Sequence, residues 1–313
     1  MTMRTPEQIS PALCAKRAIL LGLAMLFLAW PGRAAQSYTV RGLILKVDQP
    51  NRSLVVSCES IPNYMNAMVM PFTVRESSEL DGLSAGTMIQ FTLVVDGDSS
   101  YVTDIRVQKY ESVEADPLGA RRLSLIGTLT DSSSQPQIKT GQSVPDFTLI
   151  DQTRHEVSLS EFKGKVVVMT FMYTHCVLPN FCFRTANNFH QLQKRFAGEL
   201  GTGLIFISIT FDPTHDTPDA LVQYGKTWDA DPRSWKLLTG PQSDVDRISG
   251  QFGVSHFADE GTQIHSLHTV IIKRDGTLAA NLEGNQFTAD QLGDLLQTVL
   301  DSAPRPGSLS AAR

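Results

Sequence analysis

Val166-Val167-Val168-Met169-Thr170-Phe171-Met172 runs into Tyr173-Thr174-His175-Cys176-Val177-Leu178-Pro179-Asn180-Phe181-Cys182, and this stretch decides the fold. A near-continuous apolar run fits a strand buried on both faces of a parallel sheet, since a solvated face would show alternation. Beyond the cysteines, Phe189, Leu192, Phe196 and Leu200 recur at three- and four-residue steps, which predicts a helix packing one face on that sheet. A second apolar run, Leu204 to Thr210, completes strand, loop, helix, strand, with a right-handed crossover. Cys176 and Cys182 therefore fall at the carboxyl end of a strand, where open α/β sheets place their ligands. Cys182 falls near a helix N-terminus, where the dipole and unpaired N–H groups favour a thiolate.

The 313 residues, 42% of them apolar, suffice for more than one core, and two domains are expected. Basic residues number 27 against 32 acidic ones, a net charge of -5 that argues against a nucleic-acid or anionic-membrane partner. Residues 1–35 read as a signal peptide or N-terminal anchor: Arg4, Lys16 and Arg17 precede a 13-residue apolar run, Ala18 to Trp30, short for a bilayer span. Gly32 and Ala34 suggest cleavage after Ala34, and an uncleaved anchor would be the sole route to a membrane. The expected location is periplasmic or otherwise extracytoplasmic. Cys14 would leave with the signal, so the mature chain keeps Cys58, Cys176 and Cys182, an odd count outside the cytoplasm. One reading pairs Cys176 with Cys182 in a disulfide and leaves Cys58 as a buried small hydrophobe. The other makes these sulfurs ligands for a soft metal.

Residues 37–110 read as short strands separated by turn signals such as Asp48-Gln49-Pro50-Asn51 and Asp96-Gly97-Asp98, which predicts a small all-β barrel of the OB-fold kind. Met65, Met68 and Met70 crowd together here, and in a strand Met68 and Met70 project from one face. With a thiol from Cys58 on a neighbouring strand they would form an all-sulfur site suited to Cu(I), the competing reading being core filler. The stretch from Cys58 to Phe72 resembles the metal-binding segment of CusF-type periplasmic copper-binding domains, which carry a histidine, a capping aromatic and Met-x-Met before a phenylalanine. The resemblance makes Met68 and Met70 ligands, with Cys58 in place of the histidine and Met65 in place of the capping tryptophan.

Residues 111–140 lose the apolar pattern and read as a linker, with a short strand at Leu123 to Leu129, that leaves the domains tethered with some freedom. Residues 141–303 then predict an α/β domain, closed by an amphipathic helix from Ala289 to Leu300, and 304–313 a disordered tail. Thr217 caps a helix with Pro218 at its first position, and Arg274-Asp275-Gly276-Thr277 marks a hairpin. This domain resembles the thioredoxin-like Sco/SenC family of copper chaperones. Three motifs carry the resemblance: the cysteine loop after Tyr173-Thr174, the Asp-Pro-x-x-Asp-Thr-Pro element at Asp212 to Pro218, and a histidine ten residues before Asp275-Gly276. That spacing picks His265. An antiparallel last hairpin strand would bring both His265 and His268 to the cysteine edge, and in one extended segment they would face opposite sides, which leaves His268 as the alternative. The family loop is Cys-x3-Cys, whereas this chain has Cys-x5-Cys. Asp212 ends the neighbouring strand and is a candidate to orient a ligand. His175 would point away from Cys176 and serve structure or tune a thiol.

Two domains that each resemble a copper binder imply an exported copper carrier, not an enzyme, handing Cu(I) or Cu(II) to an acceptor such as a cytochrome oxidase subunit during copper-centre assembly. A thiol-disulfide oxidoreductase or thiol peroxidase using Cys176 and Cys182 is the main alternative, and a periplasmic copper buffer for resistance a third. No phosphate-cradling loop or nucleophile elbow stands out, which sets aside nucleotide binding and serine hydrolysis.

Overall fold

A computed structural model describes residues 35–108, 121, 136–176, 179–259 and 262–302. The targeting segment, most of the linker with its expected strand, and the tail lie outside these residues.

The first unit holds β1 (Gln36–Asp48), β2 (Ser53–Cys58), β3 (Met68–Thr73), β4 (Met88–Asp96) and β5 (Ser99–Val107), in the sheet order β3-β2-β1-β4-β5. The outer strands meet through a parallel bridge, Val74 to Val102, where the Arg75 N–H donates to the Val102 carbonyl, so the sheet curls towards closure. Strand alternation places Val40, Ile44, Leu54, Val56, Phe72, Phe91 and Leu93 inside, where they form the core of this unit. Gly42 lies opposite Cys58, and a Cβ there would sit 2.5 Å from Val56 Cγ1 and 2.6 Å from the Ser57 carbonyl, a close approach that only glycine permits. A short 3-10 turn, Ser77–Leu80, buries Leu80 beneath the sheet, a turn the sequence did not signal.

The second unit is a seven-stranded sheet in the order β14-β13-β8-β9-β10-β6-β7. Its strands are β6 (Thr148–Asp151), β7 (Glu156–Ser158), β8 (Val166–Met172), β9 (Leu204–Thr210), β10 (Trp235–Thr239), β13 (His268–Ile272) and β14 (Leu278–Glu283), with β11 (His256–Asp259) and β12 (Thr262–His265) forming a separate ribbon. β8, β9 and β10 are parallel, β13 runs antiparallel to β8, and every residue of β8 and β9 is buried. The helices are α1 (Arg184–Arg195), α2 (Pro218–Thr227), α3 (Gln242–Gln251) and α4 (Ala289–Ser302). α1 buries Phe189 and Leu192 as their spacing predicts and ends at Phe196, so Leu200 falls in the following turn. α2 begins as predicted, with the Thr217 hydroxyl accepting from the Ala220 N–H and Pro218 at its start. This is the thioredoxin-like α/β architecture. Among the described residues no helix is long and apolar enough to cross a membrane.

The two units pack together rather than hanging on a free tether. Leu43 and Leu45 face out of the first sheet and join the core of the second unit, and burial of each stabilises by about 1.5–3 kcal/mol. At the same seam the Ser57 hydroxyl donates to Asp294 of α4 (2.7 Å), and Gln291 Nε2 donates to the Ser57 carbonyl (3.1 Å).

Candidate metal centre

β8 delivers the chain, through buried Tyr173, to the mouth of the parallel sheet. Asp216, fully buried in the turn after β9, fixes the start of the cysteine loop: it accepts hydrogen bonds from the Thr174 N–H and from the hydroxyls of Thr174 and Thr210. One carboxylate thus ties the ends of two neighbouring strands and sets the backbone that carries His175 and Cys176. The other end of the cysteine loop is a wide turn, Pro179–Phe183, whose residue Phe181 departs from helical geometry (φ -110, ψ -113) and places Cys182 just before α1. Asn285 Nδ2 clamps this turn by donating to the carbonyls of Asn180 (2.8 Å) and Phe181 (3.1 Å).

The structure brings Cys182 and His265 together, with Sγ to Nε2 at 3.4 Å. The other imidazole nitrogen, Nδ1, lies 2.9 Å from the Ser266 carbonyl and donates to it, so Nε2 keeps its lone pair for a proton or a metal. With ligand bonds of about 2.3 Å to sulfur and about 2.0 Å to nitrogen, as for zinc, a 3.4 Å separation corresponds to a near-tetrahedral angle. His265 is buried among Phe211 (4.5 Å between centroids), Tyr173 (5.8 Å) and Phe181 (6.3 Å), which shield it from water. Cys176, half-buried, lines with Cys182 a cavity of about 400 Å³ whose walls include Tyr173, Tyr224 and Trp228. Neither cysteine is in a disulfide.

The expectation of a helix-favoured thiolate at Cys182 is not met. Hydrogen bonding with Cys176 and then burial hold the Cys182 thiol well above its usual range, so the metal-free site keeps that proton. Burial, followed by the adjacent Cys176, likewise raises the Tyr173 hydroxyl.

His268 turns elsewhere. Its Nδ1 meets Asn281 Oδ1 at 2.9 Å, and burial depresses its pKa. The chain breaks between β12 and β13, so the two histidines belong to different sheets and the alternation that would separate them along one strand does not apply. β9 stops at Thr210, so Asp212 lies two residues past its end rather than ending it, and its carboxylate faces His215 (Nδ1 at 2.9 and 3.0 Å) and His175 (Nε2 at 3.4 Å). Hydrogen bonding to Asp212 raises the His215 pKa. Sequence reasoning met Asp216 only within the Asp212 to Pro218 motif and gave no role to it, to His215 or to His256, the last lying opposite His265 in the ribbon and stacked on Phe211 at 5.3 Å.

In the first unit, register pairs Cys58 with Met68, Val56 with Met70 and Leu54 with Phe72, so all six side chains share the inward face. Cys58 is buried, Met65 and Met70 pack half-buried against the core, and Met68 is 49% exposed at the rim. Burial, then Glu59, pushes the Cys58 thiol up to about 12. Tyr38 and Tyr64 stack at 4.0 Å, Tyr64 being the chain neighbour of Met65.

Residues 135–301 match the family model described as SCO1/SenC, and residues 37–107 match one described as the copper-binding periplasmic protein CusF. A Stutzerimonas stutzeri protein whose name presumes copper binding is 25% identical over 179 residues, 56% of this chain and 85% of that protein. The SCO1 protein homolog of Bacillus subtilis is 27% identical over 149 residues, 46% of this chain and 76% of its own. The crystal structure of a SCO1/SenC family lipoprotein from Bacillus anthracis superposes with a TM-score of 0.46 at 26% identity, covering 52% of this chain and 98% of that one. With more than half of its length matched by one family model, the chain belongs to the SCO1/SenC family.

Proposed function

We propose that this protein is an extracytoplasmic copper carrier with two copper sites, one formed by Cys176, Cys182 and His265 and one by Cys58, Met68 and Met70, with Met65 beside it. The observation that carries the reading is the Cys182 to His265 contact, in which a buried imidazole has spent its Nδ1–H on a carbonyl and presents Nε2 to a sulfur. Two sulfurs and an imidazole suit Cu(I) and tolerate Cu(II), and the thioether-rich barrel site suits Cu(I). Copper entering the first site would displace the thiol protons, which leave to solvent.

Cys182 and His265 are buried and would hold the ion, whereas Cys176, the more exposed of the two cysteines lining the cavity, is half-buried. An acceptor sulfur entering that cavity would replace Cys176 first, and copper would pass by stepwise ligand exchange. An acceptor such as a cytochrome oxidase subunit, in assembly of its copper centre, fits this chemistry. The test is to replace His265 and His268 separately by Ala: loss of sulfur-coordinated Cu(II) from the His265 variant alone supports the ligand set, and its loss from the His268 variant alone refutes it.

A second reading draws on the hydrogen-bonded Cys176 and Cys182 thiols, which could close as a disulfide. Reduction of a protein disulfide at a rate abolished by Cys176→Ser would support it.

A further inference from the structure

We propose a separate site for a divalent first-row transition ion, Cu(II) above all, formed by His175, Asp212 and His215. One ligand atom from each of the three residues lies within 4.8 Å of the others. The Asp212 carboxylate is 2.9 Å from His215 Nδ1 and 3.4 Å from His175 Nε2. An ion with bonds of about 2.0–2.1 Å places its ligands about 2.9 Å apart at right angles and about 3.3 Å apart in a tetrahedron, so both edges are already near coordination length. Only the separation between the two imidazoles has to shorten. Their rings stand 5.4 Å apart, and their side chains are 40% and 69% exposed, which leaves both able to rotate.

The base of the site is built for the purpose. Asp212 is 7% exposed and its backbone N–H donates to the Thr210 hydroxyl, so the carboxylate lies buried beneath two more exposed imidazoles. His175 is set by the Asp216 tie at Thr174, and its Nδ1 lies 3.9 Å from Asp216. Two imidazoles and a carboxylate with open positions suit borderline divalent ions, and among these Cu(II) binds tightest. The donor set is nitrogen and oxygen, whereas the neighbouring thiol site is sulfur-rich. One backbone bond joins His175 to Cys176, so sites suited to the oxidised and the reduced ion sit side by side. The ion takes the place of the hydrogen that His215 Nδ1 donates to Asp212.

This site is independent of the thiol site, and its test removes the thiols. The full chain carrying Cys176→Ser and Cys182→Ser is titrated with Cu(II) and followed by electron paramagnetic resonance, with binding constants from chelator competition. The expected result is one Cu(II) with two coordinated imidazole nitrogens, weakened at least about tenfold by His175→Ala or His215→Ala and unchanged by His155→Ala. Unchanged affinity in both variants overturns the site, as does a loss seen only with His265→Ala. Tighter binding of Zn(II) than of Cu(II) at these residues overturns the copper assignment. Should the double serine variant not fold, wild-type crystals soaked in Zn(II) decide: an anomalous peak touching His175, Asp212 and His215 supports the site, and peaks only at the thiols refute it.

Discussion

Replacing Asp216 should uncouple the cysteine loop from the sheet. The carboxylate accepts from the Thr174 N–H and from the Thr174 and Thr210 hydroxyls, and it is fully buried. Asp216→Ala removes the acceptor of all three, and at about 1–1.5 kcal/mol net per hydrogen bond the loss is about 3–4.5 kcal/mol. Asp216→Asn keeps one oxygen and offers an N–H to a threonine hydroxyl, so the cost should fall to about 1–2 kcal/mol. Trp228 and Trp235 both lie in the second unit, so their fluorescence in urea follows the affected part. Because Thr174 precedes His175 and Cys176, copper affinity should fall about 10- to 100-fold in the Ala variant, measured against a chromophoric Cu(I) chelator. An Ala variant within about 1 kcal/mol of wild type, or one no worse than Asn, would refute the role assigned to this carboxylate.

Met68→Leu should leave stability within about 0.5 kcal/mol, because the side chain is 49% exposed, yet remove one Cu(I) equivalent from the titration. Unchanged stoichiometry would return the methionines to core filler. Iodoacetamide under native conditions should label Cys176 before Cys182 and Cys58, since both of the latter are buried with raised thiol pKa values; mass spectrometry showing Cys58 labelled first would contradict the burial. The folded-state pKa of His268 is depressed by burial, so the unfolded chain binds the proton first as pH falls below about 6.5, and stability is lost through that window. His268→Gln should flatten the decline in urea midpoint between about pH 6.5 and 4.5, and an equally steep decline would show that another group causes it.

The strand that carries the cysteines was legible because seven consecutive buried positions leave no room for alternation, and β9 reads the same way. His265 was found through the spacing to Asp275-Gly276, a family pattern; the local composition singled out neither histidine. Asp216 escaped because two aspartates four residues apart look alike in sequence, and only the fold sends one carboxylate inward to Thr174 and the other outward to two histidines. The thiolate expected at Cys182 failed because the dipole of α1 is a modest effect beside burial and a neighbouring thiol. The docking of the barrel was also hidden. Leu43 and Leu45 sit on the face that alternation assigns to solvent, and they become core only through contact with the second unit. That Met68 and Met70 share a strand face follows from their two-residue spacing, whereas the register that pairs Met68 with Cys58 across the long connection 59–67 is visible only in the fold.

Whether the chain carries copper at two separate sites is decided by an anaerobic Cu(I) titration of the reduced protein lacking residues 1–35, read by copper X-ray absorption at each equivalent. Two tight equivalents are expected, one with sulfur plus a single imidazole that loses its nitrogen scattering in His265→Ala, and one with sulfur alone that disappears in Met68→Leu. A single equivalent unaffected by either substitution, or two that both survive Cys182→Ser, would contradict the two-site carrier.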